Sequence, residues 1–297
     1  MITCGICGGI DLTFLYSARD INFGTTAEEF SVMECPACGV VQTVPRPPED
    51  SLAKYYPASY YPQTETEARE YERIIGRFQR EKVKLMRRYR QTGMVLDVGC
   101  GAGYFVREAS MAGYSAEGVE FSHQAVEFAK AHCKVHAVEG DVLEVSFGDR
   151  KFDIVTLWNV LEHLPHPAES IQKIHSLLKP GGILIAAVPN FCSFQARVFR
   201  DRWYHLEVPR HLYHFGPDSL AKLLRNQGFS ILGLSHYSSE NNWAGIMASM
   251  VPLVSPTGSL AGRALRKVFG QPLARVAAGL EALVGRGGTF TMIAQIP

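Results

Sequence analysis

The run Val95-Leu96-Asp97-Val98-Gly99-Cys100-Gly101-Ala102-Gly103 constrains this chain more than any other segment. A short hydrophobic strand enters three glycines at alternate positions, and from Tyr104 the apolar spacing becomes that of a helix. Glycine accepts positive φ and lets a neighbour approach the backbone closely. Such a turn at a strand's carboxyl end therefore predicts a cradle for a nucleotide-like cofactor held against bare amides. Cys100 occupies a position inside the turn where a small residue is wanted. The dinucleotide fingerprint would need glycine at position 104, where Tyr104 stands, and this argues against a nicotinamide cofactor.

Two acidic residues fall where the next strands should end. Glu120 lies 21 residues after Gly99, at the place from which a carboxylate takes ribose hydroxyls. Asp141, between Gly140 and Val142, follows the strand Val135–Val138 and is placed to accept from an adenine amino group; an aspartate capping a turn or helix is the structural alternative. Beyond Gly93 the period alternates repeatedly: strands at Met94–Val98, Ser115–Val119, Phe152–Leu157 and Ile183–Val188 are separated by helices at Tyr104–Ala112, Ser122–Ala131 and Ala168–Leu178. That alternation predicts an α/β fold with a parallel sheet covered by helices.

Four of the seven cysteines form two CxxC pairs, Cys4/Cys7 and Cys35/Cys38, each followed at once by glycine. A CxxC turn aims two thiolates at one ion, and two such turns complete a tetrahedral shell, so a structural zinc is expected with Cys4, Cys7, Cys35 and Cys38 as ligands. Four thiolates leave no open position for water, and the ion would hold a segment too short for a core of its own. Cys133 and Cys192 are expected to pack rather than react.

The predicted organisation is a zinc-binding module at 1–44, a linker with a leading helix at 45–92, a cofactor-binding domain at 93–240, an apolar helical insertion at 241–288 and a last strand at 289–297. The linker carries Pro45, Pro47, Pro48, Pro57 and Pro62 with Tyr55, Tyr56, Tyr60 and Tyr61. In the insertion, Leu273, Val276, Ala277, Leu280, Leu283 and Val284 share one helical face, and Leu260, Ala264, Leu265 and Val268 another. Its five basic residues against one acidic are compatible with peripheral membrane contact, and equally with a lid, a packed helix pair or a dimer contact. The N-terminus has no basic start with an apolar run, and no apolar stretch nears about 18 residues, so a cytoplasmic, non-spanning chain is expected.

With these residues in view, the chain resembles the class I S-adenosylmethionine-dependent methyltransferases. The likeness is carried by DVGCGAG at 97–103, by Glu120, by Gly140-Asp141, by FDIVTLWNVLEHL at 152–164, and by Leu177-Leu178-Lys179-Pro180-Gly181-Gly182 before the fifth strand. It implies a seven-stranded Rossmann-like sheet with an antiparallel last strand, here with an N-terminal zinc ribbon and a helical insertion before that strand. It further implies that Asp97, Gly99, Cys100, Gly101 and Gly103 form the loop at the cofactor's methionine end and that Glu120 binds ribose. Phe121, Asp141 and Val142 would surround adenine, and Trp158 and Asn159 would face the methyl group. Enzymes of the family that methylate exocyclic base amines have an Asn/Asp-Pro-Pro-aromatic motif where this chain has Trp158-Asn159-Val160-Leu161, which disfavours that chemistry.

A sulfonium carbon is already electrophilic, so the protein must chiefly align an acceptor in line and exclude water. A general base helps where the acceptor is an alcohol or carbon acid, and His211 or His205, with Asn159 near the methyl group, are the catalytic candidates. A histidine bound to backbone is the structural alternative. The cysteine-rich start is similar to bacterial sugar C-methyltransferases that act on nucleotide-linked deoxysugars, whose catalytic residues do not carry over; the likeness implies a small-molecule, sugar or glycan-precursor acceptor. The competing functions are an RNA methyltransferase gripping its substrate through the zinc module, and a non-catalytic cofactor-binding scaffold. Residues 1–44 contain Arg19 as their single basic side chain, against five acids, which argues against nucleic acid.

Overall fold

The first 44 residues hold two tight cysteine turns and little apolar sequence, and they acquire a core by sharing one. The structure is a computed structural model that describes residues 2–57, 65–236, 238, 241–254 and 271–297. In it β1 (Thr13–Arg19), β2 (Glu29–Glu34) and β3 (Val41–Val44) pair antiparallel in sequence order. A two-residue strand from far along the chain, β9 (Tyr213–His214), extends the sheet by pairing with β3. Ala18, Phe30, Val32 and Val41 then bury against Trp203, Leu206 and Val208 of the histidine-rich stretch. The compact unit so formed comprises Met1–Tyr56, Val188–Leu220 and Leu234–Thr291. A bulge between Phe14 and Tyr16 interrupts the pairing of β1 and spoils the two-residue alternation that would mark it in the sequence.

At the centre of this unit Arg210, its side chain wholly buried, makes a bidentate pair with Asp20 at 3.0 and 3.1 Å. It also donates to the Tyr55 carbonyl at 3.1 Å and approaches Glu207 at 3.4 Å. Burial alone would raise the Asp20 pKa, but the hydrogen bonds from Arg210 and Thr25 prevail and hold it at about 2. Burial pushes Glu207 upward.

The same unit contains α5 (Phe194–Phe199), α7 (Asn241–Val254) and α8 (Gln271–Leu283). α8 packs its small face, Ala274 and Ala278, on Ile246, with Trp243 and Met247 alongside. Its larger stripe of Leu273, Val276, Ala277 and Leu280, continued past the helix by Val284, points to solvent. Asn242 locks the segment. Its Oδ1 accepts from both the amide and the hydroxyl of Thr289, and its Nδ2 donates to the His236 carbonyl. The expected stripe of Leu260, Ala264, Leu265 and Val268 lies outside the described residues, as do Tyr60, Tyr61 and Pro62 of the linker.

The second unit comprises Pro57–Ala187, Ala221–Gly233 and Met292–Pro297. It begins with α1 (Glu65–Arg87), and the alternation then proceeds as expected: β4 (Met94–Val98), α2 (Tyr104–Met111), β5 (Ser115–Glu120), α3 (His123–Phe128), β6 (His136–Glu139), β7 (Phe152–Trp158), α4 (Pro167–Leu177) and β8 (Leu178–Pro189). α6 (Pro217–Asn226) leads to β10 (Ser230–Ser235), and β11 (Thr289–Gln295) ends the sheet. The seven strands lie in the order β10-β11-β8-β7-β4-β5-β6, a Rossmann-like sheet. β6, β5, β4, β7 and β8 are mutually parallel. β11 is antiparallel to β8, since Ile296 at its end bonds Gly182 near the start of β8. Val83 and Met86 of α1, with Phe105 and Ala109 of α2, pack over Val95, Ile154, Ile185 and Ile293. β8 begins earlier than the expected Ile183: Leu178 already pairs with Phe152, and the Lys179–Gly182 turn is accommodated as an irregularity before Ile183 meets Ile154.

Replacing Arg210 by methionine keeps the apolar bulk but leaves Asp20 and Glu207 buried without their cation. We expect a loss of about 3–5 kcal/mol in urea unfolding. A loss below about 1 kcal/mol, the scale of an exposed pair, would show that the cluster is not what holds this unit.

Candidate active site

Strand order reverses between β4 and β7, so the chain leaving β4 and the chain leaving β7 open a crevice at the sheet's carboxyl edge. The glycine turn leaves β4 there. Gly99, Gly101 and Gly103 all have positive φ, at 68°, 51° and 80°. A Cβ on Gly99 would lie 2.5 Å from the Val160 side chain, and one on Gly103 2.8 Å from Ala129 and Val135. These two glycines thus permit close packing of the turn on its neighbours. Cys100 fits the same requirement: its sulfur fills the space above Gly118 of β5, and burial raises its thiol pKa well above the usual value.

The turn differs from a row of bare amides. Gly99 and Cys100 both donate to the Val119 carbonyl at 2.8 and 3.1 Å, and Gly103 donates to the Cys100 carbonyl at 3.0 Å. The Gly101 amide is taken by the Glu120 carboxylate at 2.9 Å, and the other oxygen of Glu120 accepts from the Ser122 amide at 3.0 Å. Four amides of the turn, those of Gly99, Cys100, Gly101 and Gly103, are therefore spent within the fold, and Glu120 and Asp97 place carboxylates beside it. A pyrophosphate needs free N–H donors, whereas hydroxyls and cations need carboxylates.

Asp97 lies between Gly118 of β5 and Thr156 of β7 and is buried. The Thr156 hydroxyl donates to it at 2.6 Å. Desolvation pushes its pKa up to about 7 against the pull of Thr156 and of Lys82, and the nearby Glu120 adds to the rise. One oxygen of Asp141 is committed to a local turn, accepting from the Leu143 amide at 2.7 Å. Val142 beside it is buried, and Phe121 is more than half exposed.

At the end of β7, Asn159 adopts φ 57°, a left-handed conformation that asparagine tolerates better than most residues, and its amide donates to Ala187. Trp158 stacks edge-on with Phe105 at 5.3 Å, and the Lys82 ammonium sits 5.1 Å over its ring. Neither Lys82 nor Thr156 is marked by the sequence as a site residue. Lys82 is one of many charges on an amphipathic helix, and Thr156 is a polar residue inside an apolar strand, a weak signal that could have been used.

His205 and His211 are both buried in the unit that holds the cysteine ribbon. His211 Nδ1 donates to the His205 carbonyl at 2.9 Å, which leaves Nε2 as the proton-accepting nitrogen, 3.7 Å from Glu207. The third histidine of the stretch, His214, contacts the Thr43 hydroxyl at 3.1 Å, and burial lowers its pKa to about 3. In the ribbon the four sulfurs of Cys4, Cys7, Cys35 and Cys38 lie within 4.8 Å of one another. Cys4–Cys38 and Cys7–Cys35 are each 3.6 Å apart. Both turns close identically, Gly8 donating to the Cys4 carbonyl and Gly39 to that of Cys35.

A family model described as a methyltransferase domain matches residues 68–234. The chain belongs to this methyltransferase family. A ubiquinone biosynthesis O-methyltransferase of Actinobacillus pleuropneumoniae is 32% identical to it over 106 residues, covering 32% of this chain and 45% of that protein. One of Xanthomonas euvesicatoria is 31% identical over 153 residues, covering 48% of this chain and 64% of that protein. The chain thus matches less than two thirds of the length of these curated relatives. A crystal structure of an S-adenosylmethionine-dependent methyltransferase from Thermotoga maritima superposes with TM-score 0.51 at 18% identity, covering 77% of this chain and 96% of that one. At that identity the likeness shows the fold.

In this methyltransferase, Gly99→Ala should destabilise by more than the ~1–2 kcal/mol of a left-handed alanine, because the new methyl also meets Val160. Adding Val160→Ala should recover the overlap component and leave the backbone component. Equal unfolding midpoints for the single and double variants would refute this account of the turn.

Proposed function

We propose that this enzyme methylates a small-molecule acceptor, with a sugar or glycan precursor as the acceptor class and a hydroxyl oxygen as the attacked atom. The observation that carries the choice of oxygen is the kinship with O-methyltransferases, and the Trp158-Asn159-Val160-Leu161 ending of β7 supports it against flat base amines. In this reading Gly99, Cys100, Gly101 and Gly103 shape the cradle, and Asp97 faces the cationic methionine end of the cofactor. Glu120, already aimed by two amides, accepts from the ribose hydroxyls. Phe121, Val142 and the remaining acceptor capacity of Asp141 serve the adenine, and Trp158 and Asn159 border the methyl group. S-adenosylmethionine supplies a carbon ready for in-line attack.

An alcohol acceptor must lose its proton as it attacks, and His211 and His205 are the base candidates. The Nδ1 bond of His211 fixes the tautomer a base requires. Incubating the purified enzyme with S-adenosylmethionine and a panel of nucleotide-linked sugars should release S-adenosylhomocysteine, with the new methyl on oxygen by NMR. Turnover with RNA but not with the panel would reverse the acceptor assignment.

The ribbon's thiolates fit a structural zinc. A regular ZnS4 tetrahedron with Zn–S of ~2.3 Å has sulfurs ~3.8 Å apart, close to the spacings between the two turns. Cys4, Cys7, Cys35 and Cys38 would hold the ion, whose work there is to cross-link two turns. Metal analysis should find zinc bound stoichiometrically, and Cys35→Ser should lose it and expose the ribbon to proteolysis. A zinc-free native protein would end this assignment.

Asp97 supplies a further test. With its pKa near 7 in the free enzyme, a cationic ligand favours the ionised form, so binding below pH 7 must expel a proton. S-adenosylmethionine affinity should therefore rise as pH climbs through 7, by up to about tenfold per unit on the acid side, and level off above. Asp97→Asn should flatten the profile in calorimetry; an unchanged profile would remove Asp97 from the site.

A further inference from the structure

The outward stripe of α8 is larger and more apolar than the face the helix uses for packing. Leu273, Val276, Leu280 and Leu283, with Val284 just beyond, are exposed by 58–83% of their surface, while Ala274, Ala278 and Glu281 are the buried side chains among the helix's described residues. The fold presents this stripe ready-made, because Ala274 and Ala278 hold the helix on Ile246 of α7. The start of α5 joins its far end, the Phe194 amide donating to the Arg286 carbonyl at 3.4 Å, and Phe194 is itself nearly half exposed.

Charge decides what such a surface fits. Residues 241–288 carry five basic side chains and one acidic. The acidic one, Glu281, is buried and accepts a hydrogen bond from Gln195 at 2.8 Å, so it does not offset the described, exposed cations Arg275 and Arg197. Arg275 is exposed and lies 5.0 Å over the Trp243 ring, and Arg197 stands exposed on α5. A second copy of this chain docked on the same face would bring like charges together, which is unfavourable. An anionic lipid surface meets both halves of the pattern, with apolar side chains entering the acyl boundary and arginines at the headgroups. At ~1.5 Å per residue α8 is ~20 Å long, too short for a hydrocarbon core of ~30 Å, and no described helix is long and apolar enough to cross. It would lie in the plane of the interface.

We infer that α8, with the start of α5, docks the enzyme peripherally on anionic membranes through the Leu273–Val284 stripe. The inference is independent of the acceptor assignment, since it uses neither the cofactor edge nor the histidines.

The test uses the full chain in flotation with phosphatidylcholine vesicles and with vesicles that also contain phosphatidylglycerol. Binding should favour the anionic vesicles and weaken with added salt. Leu280→Asp combined with Leu283→Asp should reduce it about tenfold or more. Both positions are exposed, so circular dichroism and S-adenosylmethionine affinity should be unchanged, and those two readouts separate loss of docking from loss of fold. Arg275→Gln should lower binding to anionic vesicles alone. Equal vesicle binding by the wild type and the double variant, absence of binding to anionic vesicles, or a concentration-dependent dimer that the double variant abolishes would each overturn the inference.

Discussion

Two amide hydrogens ending on one carboxylate set the character of the sheet edge at the glycine turn. Gly101 and Ser122 both donate to Glu120, while Gly99 and Cys100 close on Val119. The turn consumes its own donors, which holds it in one shape and aims Glu120 without help from a ligand. A turn with the same glycines but free amides would suit phosphate. Once those donors are spent, carboxylates dominate the edge, and the partner that suits them carries hydroxyls and positive charge. Asp97 shows the cost of this arrangement: burial pushes its pKa up to about 7 against the pull of Thr156 and Lys82, so a further cation beside it would favour its ionised form.

The cysteine ribbon solves a different problem, that of holding a segment with little apolar surface. Two devices share the work. The four sulfurs converge locally, and the core is borrowed from Trp203, Leu206 and Val208, nearly two hundred residues away. Arg210 ties Asp20 in the ribbon to Glu207 in the distant stretch, so one guanidinium makes the two segments a single unit. His211 and His205 belong to this cluster, and their geometry is set by the same contacts that stabilise the ribbon.

The features legible in the sequence are those whose physics is local. A glycine at positive φ needs that glycine, a CxxC turn needs its two thiols, and a parallel α/β alternation announces itself in the period of short segments; all of these stand in the structure where their residues predict. The bulge in β1 erased a strand from the alternation, and β9, two residues long, is a strand only because β3 lies beside it. The stripe on α8 was legible as amphipathic, but amphipathicity does not say which face packs. Here the alanine face does, because small side chains let α8 approach α7 closely.

The same division explains why the reaction could be read further than its acceptor. A sulfonium brings its own reactivity, so under the proposed function the protein's record of it is a binding site, assigned here to one turn and three strand ends. Nothing in methyl transfer forces a particular side chain to sit at a particular spacing from that turn. Acceptor recognition is a matter of shape built from residues far apart in the chain, of the kind that joins Arg210 to Asp20. Such shapes leave no short motif, and they emerge only when the packing of distant segments is known.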